Sequence, residues 1–218
     1  MRSHVIASIA DAVPRRPGRV RVGIDGPDGS GKTVLADELA HELCSRGRTA
    51  VRASADDFHQ VRALRHARGR DDPEGMWLDS YDYPRLRHDL LDPFGPDGDG
   101  RVSLRAHDLA TDAVLEPAWE QAPVDAVLVL DGLFLHREEL AGCFELTVWL
   151  EVPFEVTCAR MAVRDGTDPD PGHPSVARYV GAQRIYRELV SPQDRAGMVV
   201  DNADLDRPVV WRGPQPLV

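Results

Sequence analysis

The stretch Arg19 to Cys44, R-V-R-V-G-I-D-G-P-D-G-S-G-K-T-V-L-A-D-E-L-A-H-E-L-C, decides the fold. Val20, Val22 and Ile24 alternate with other residues, the period of a strand, and Leu35, Leu39 and Leu43 stand four apart, the period of a helix with one apolar face. Between them Gly26 to Thr33 fits G-x-x-x-x-G-K-[ST] without slack, and a strand before and a helix after is the setting this pattern requires. Glycine lets backbone N–H groups crowd around phosphate oxygens, and the helix N-terminus adds the positive end of its dipole. Gly26, Asp28, Gly29, Ser30 and Gly31 therefore form the expected cradle. Lys32 is placed to reach the β- and γ-phosphates of a nucleotide, and the Thr33 hydroxyl to ligate Mg²⁺.

Lys32 is also the chain's single lysine: of 26 basic residues in 218, the other 25 are arginine. An ammonium is a compact point charge on a flexible stem, whereas a guanidinium is a wider planar fork that seeks bidentate partners. The one position that keeps lysine is the one where a narrow loop needs a narrow cation. With 36 acidic residues the net charge is −10, which argues against a bulk nucleic-acid binder or a polybasic membrane-surface protein. Cys44, Cys143 and Cys158 are scattered, without metal or redox spacing. No apolar run approaches the roughly 20 residues of a membrane span, and Met1 to Pro14 lacks a signal-peptide core. The expectation is a cytoplasmic protein.

The rhythm continues on both sides of the loop. A helix is predicted over His4–Val13, a strand over Thr49–Ala53, strands over Val124–Leu130 and Leu146–Val152, a helix over Phe154–Arg164 and a short strand at Met198–Val200. Continuous apolar strands alternating with helices predict an α/β fold, a parallel sheet covered on both faces. Residues 59–122 interrupt it as a polar, Pro- and Gly-punctuated insertion, and 165–174 (DGTDPDPGHP) as turn formers, lengths that suggest substrate-binding insertions or lids. The run VLVLDG delivers Asp131 to the C-terminal edge of the sheet, where ligands sit in such folds, and Asp131 is expected in the Mg²⁺ shell. Arg160 and Arg164 lie four apart on one helix face and are candidates for clamping a transferring phosphoryl group. In Ser54-Ala-Asp56-Asp57-Phe58-His59, a carboxylate at a strand end near the loop is placed to take a proton from an acceptor hydroxyl. The residues alone do not choose between Asp56 and Asp57.

Taken together, GPDGSGKT, SADDFH, SYDYP, AHD, VLVLDG, RMAVRD and SPQDRAGMVVDNAD resemble the uridine kinase family of P-loop nucleoside kinases, close to the phosphoribulokinase and pantothenate kinase branches, over about residues 20–205. The resemblance implies a P-loop NTPase fold, three layers α/β/α with a mostly parallel sheet. It implies a single kinase domain over 1–218, with a substrate-binding insertion at about 59–122 and a lid at about 160–178. It assigns the base to Asp56 and the lid arginine to Arg164, with Phe58 and His59 beside the acceptor. It assigns the grip on ribose hydroxyls to Asp82 with Tyr83, contact with the nucleoside base to His107 and Asp108, and a place beside adenine to the segment around Asn202. The sequence departs from that family in having Asp131-Gly132 for Glu-Gly, His59 and His107 for Tyr, and an acidic, Pro-rich lid for an Arg-rich one.

The expected activity is ATP- and Mg²⁺-dependent phosphorylation of a small-molecule hydroxyl, in the first place the 5′-hydroxyl of uridine or cytidine. Its alternatives are another alcohol (pantothenate, nicotinamide riboside, a sugar or a specialised-metabolite nucleoside) and a nucleotide-binding protein without turnover. The expected partners are ATP and a nucleoside-like substrate, with no nucleic acid and no membrane; self-association is open.

Overall fold

Strand β1 (Val20–Asp25) is buried along its whole length because it lies in the middle of the sheet. It pairs in parallel with β3 (Val127–Gly132) on one side and β4 (Leu146–Glu151) on the other. Outward from these, β2 (Ala50–Ser54) pairs with β3 and β5 (Met198–Asp201) with β4, both parallel; β6 (Val209–Arg212) closes the edge antiparallel to β5. The spatial order is β6-β5-β4-β1-β3-β2. The computed structural model describes residues 1–215.

The apolar run of β3 divides by parity, which is why it reads as continuous. Val127 and Val129 enter the core beneath α1 (Arg2–Ala12) and α2 (Lys32–Ser45), with Ile9, Leu35, Leu39 and Leu43. Leu128 and Leu130 enter the opposite core with Phe58, Phe134, Trp149 and Tyr186. A sheet buried on both faces and covered by helices on both is the three-layer α/β/α arrangement. A third, smaller cluster of Cys158, Met161, Val176 and Val180 joins α4 (Phe154–Asp165) to α5 (Pro174–Val190).

Three elements differ from the sequence expectation. The strand predicted from Val124 begins at Val127, because Ala126 N donates to Pro123 O in a turn and Asp125 caps Gly18 N. Helix α5 occupies residues read as lid and beyond; Pro174 opens it, and the His173 ring accepts from Ser175 N. The 59–122 insertion contains short helices, among them Arg62–Arg65, α3 (Pro73–Asp79) and Tyr83–Leu86. It also contains two antiparallel pairs of two-residue strands, Arg101–Val102 with Glu120–Gln121 and His107–Asp108 with Ala113–Val114. The insertion docks on α5 at a close crossing: a Cβ on Gly181 would stand 2.6 Å from Pro73. Among the described residues no helix is long and apolar enough to cross a membrane.

Candidate active site

The turn from β1 into α2 is tight enough to demand its glycines. Gly29 has φ +71°, and a Cβ there would lie 2.6 Å from Thr157 O; Gly31 has φ +91° and abuts Asn202 Nδ2. Across the loop Lys32 Nζ donates to Pro27 O at 2.9 Å. Thr33 Oγ1 donates to Asp131 Oδ2 at 2.7 Å, bringing together the two residues expected at the metal. Asp131 is buried, and its other oxygen accepts from Arg52 Nη2 at 2.9 Å; Arg52 also pairs with Asp37 at 2.8 Å.

A buried polar network holds the loop from behind. Asp25, fully buried, accepts from Gly26 N at 2.7 Å and Leu135 N at 3.0 Å, touches His136 Nδ1 at 2.9 Å and accepts from the Tyr186 hydroxyl. Burial beside the Asp25 carboxylate pushes the Tyr186 phenol well above its ordinary pKa, so it remains a donor. Tyr186→Phe deletes that donor and the acceptor of His136 N. It should cost about 1–3 kcal/mol of stability in chemical denaturation; a loss below about 0.5 kcal/mol would show the network to be dispensable. Asn202, also buried, donates to Ser30 O at 2.7 Å. Arg160 donates to Gly29 O at 3.3 Å, Asn202 O at 3.0 Å and Ala203 O at 2.8 Å. Both residues thus brace the loop backbone, where the helix-face spacing of Arg160 predicts a clamp on the phosphoryl group and the resemblance implies a place beside adenine for the segment around Asn202.

In front of the loop lies a cleft of about 750 Å³, lined by Asp28, Asp56, His59, Tyr81 and Arg164 on the loop side and by arginines of the insertion and α5 on the other. Asp56 is 61% exposed at its side chain; Tyr81 OH donates to Oδ1 at 2.9 Å, and the His59 ring stacks on Tyr81 at 4.5 Å while bonding Asp56 O. Burial lowers the His59 pKa, with Asp56 opposing. Burial raises that of Asp28, opposed by Lys32 and reinforced by Asp56; its Oδ2 has no partner. Asp57 is turned into an ion pair with Arg105 at 2.7 Å and is absent from the cleft lining. Arg164 lines the cleft while paired with Asp165 at 2.7 Å.

The remaining expected acceptor residues are not brought to the cleft. Phe58 is fully buried in the core, and Tyr83 is buried under Arg137, whose guanidinium sits 5.1 Å from its ring. Asp82 accepts from Arg85 N at 3.0 Å, capping a helix. His107 is buried against Asp112 at 3.2 Å, and Asp108 caps Ala110 N at 2.9 Å. These side chains meet the insertion's own backbone and core, which is a reason of local folding. Sequence reasoning passed over Asp25, Arg52, His136 and Tyr186, and noted Tyr81 only as one of the aromatics of SYDYP. Asp25 alone carried a signal, being an acid at the C-terminal end of the strand that feeds the loop.

A sheet in the order β5-β4-β1-β3-β2, a phosphate loop leaving its central strand and a strand-end aspartate on the loop's threonine define a P-loop kinase fold. No family model matches the chain. It is 25% identical over 195 residues to a uridine kinase of Brevibacillus brevis, the match covering 83% of each protein. It is 26% identical over 152 residues to a protein of Schizosaccharomyces pombe named as an uncharacterized kinase, covering 63% of this chain. The match takes in 54% of that protein, about half its length. Among solved structures, a possible uridine kinase from Bacillus stearothermophilus superposes with a TM-score of 0.70 at 25% identity, covering 91% of this chain and 96% of the other. The chain is similar to uridine kinases and has the fold of P-loop kinases.

Proposed function

We propose that this chain transfers the γ-phosphoryl group of ATP to a hydroxyl of a small molecule bound in the cleft. The observation that carries the reading is Asp56: a carboxylate with no guanidinium partner among the described residues, oriented by Tyr81, in a cleft whose wall includes Asp28 of the phosphate loop. The acceptor hydroxyl oxygen forms its bond to phosphorus as the bridging bond to ADP breaks, and Asp56 takes the hydroxyl proton. Lys32, free to exchange Pro27 O for phosphate oxygens, and Arg164 stabilise the charge spreading over the transferred group.

The residues present fit Mg²⁺. Thr33 and Asp131 already touch, one hydroxyl and one carboxylate, and a hard cation that keeps waters and phosphate oxygens needs few protein ligands. When bound, Mg²⁺ supplies neutralisation of phosphate charge. Thr33 and Asp131 would hold it, with Arg52 fixing the carboxylate's orientation.

Of the nucleoside acceptors, uridine is supported by the names of the relatives. Another alcohol is favoured by the position of Asp82, Tyr83, His107 and Asp108, all engaged within the fold rather than at the cleft. A protein that only binds nucleotide is disfavoured by the presence of Asp56 in a roomy second pocket. The test is ADP release from ATP and Mg²⁺ across nucleosides, sugars, sugar acids and other alcohols. Turnover with at least one acceptor is expected; ATP binding with silence across the panel would overturn the phosphotransferase reading.

A further inference from the structure

The acceptor cleft has an arginine wall that the phosphotransfer chemistry does not use. Arg62, Arg65 and Arg70 come from the insertion and Arg178 from α5, and all four line the cleft beside His66. Arg178 is buried and staples the segment: Nη1 donates to Arg70 O at 2.8 Å and Nη2 to Arg65 O at 3.2 Å. Arg65, 12% exposed at its side chain, donates Nε to Gln60 O at 2.7 Å and leaves Nη2 3.6 Å from Asp112, outside the cleft lining. Among the described residues the guanidiniums of Arg62 and Arg70 make no hydrogen bond and no ion pair, although both border the cleft.

The charges do not balance locally. Of the four carboxylates lining the cleft, Asp28 and Asp56 belong to the loop side and Asp165 is held by Arg164. On that side Asp71 is the one acid that lines the cleft, with Asp112 3.6 Å from Arg65 and Asp72 near Arg178 behind the lining, against four guanidiniums in a chain whose net charge is −10. Burial and the charges of Arg178, Arg65, Arg70 and Arg62 all push the His66 pKa down. Gathered cations repel one another unless an anion joins them, and the guanidinium fork matches carboxylate and phosphate oxygens. A neutral nucleoside offers this wall only uncharged acceptors and no compensating charge, and a cationic acceptor would be repelled by it.

We propose that the acceptor carries an anionic oxygen group, a carboxylate or a phosphate, seated on Arg62, Arg65, Arg70 and Arg178 while its hydroxyl lies toward Asp56. This rests on the phosphotransferase reading for the role of the site, but not for the binding of the anion. The wall sets which alcohol is accepted, and it anchors the end of the molecule remote from the reacting oxygen.

The test is calorimetric titration of the full chain with ADP saturating the phosphate loop, using ribonate, ribose 5-phosphate and uridine as probes. At least one anionic probe should bind about tenfold or more tightly than uridine, more weakly as salt rises, and which one binds separates the carboxylate from the phosphate. The double variant Arg62→Ala, Arg70→Ala, at exposed positions, should lose about tenfold for that probe while ADP affinity stays within about twofold. Uridine binding as tightly as both anions, no binding of either anion at millimolar concentration, or a double variant that binds unchanged would each overturn the proposal. Adding ATP and Mg²⁺ afterwards tests the other reading separately: an anion that binds but releases no ADP counts against phosphotransfer and leaves the anion site standing.

Discussion

Lys32→Arg should lower kcat/KM by about 10²–10³ although the charge is kept, the loss expected when one preorganised donor to transition-state charge is removed. Lys32 Nζ reaches across the loop and donates to Pro27 O at 2.9 Å. A guanidinium is broader, and the loop cannot widen to receive it: Gly29 already lies against Thr157 O and Gly31 against Asn202. Melting should change little, because Lys32 is half-buried and makes that one contact. Rates within about tenfold of the parent would show that position to need charge alone. A second readout avoids activity. As the only ε-amine in the chain, Lys32 should be acylated by an amine-reactive reagent in the free protein and shielded when ATP is bound.

Asp56→Asn should lower kcat by about 10²–10⁴, the range for loss of a positioned base, with little change in KM for ATP. The amide keeps the size and the hydrogen bond to Tyr81 and loses the proton acceptor. Asp57→Asn is the comparison that gives this meaning. Its carboxylate is turned onto Arg105, so its loss should stay within about threefold, as for an exposed ion pair. A larger loss from Asp57→Asn than from Asp56→Asn would reverse the assignment. The ambiguity of two adjacent acids was one of direction, and direction is what a short helical turn over Ala55–Phe58 sets.

What could be read from sequence was what is encoded locally. The phosphate loop is eight consecutive residues. The parity of VLVLDG follows from burial on two faces, and the leucines of α2 follow from burial on one. Helix α5 escaped because its buried side is mixed: Val176 and Val180 alternate with buried Arg178 and Gln183, which breaks the apolar stripe. The Asp25 network escaped because Tyr186 is 161 residues from its partner, beyond any local pattern. The arginine wall was hidden by abundance, since among 25 arginines nothing in residue type sets Arg62 or Arg70 apart. Asp82, His107 and Asp108 were assigned through resemblance, and their surroundings depend on how a sixty-residue insertion folds on itself.

The contact of Asn202 with Ser30 has a bearing on how the molecule is made. The two residues are 172 apart, and the chain leaves the ribosome from the other end. The phosphate loop is synthesised long before its rear wall, which arrives only with Asn202 and Ala203. Arg2 reaches the same region, its Nη1 donating to Leu205 O at 2.8 Å, so segments 203 residues apart are joined across the back of the loop. A nascent chain stalled before residue 202 would carry every residue of the nucleotide-binding motif without the support that shapes it. Ribosome-bound intermediates should therefore gain affinity for nucleotide late and abruptly rather than in proportion to their length.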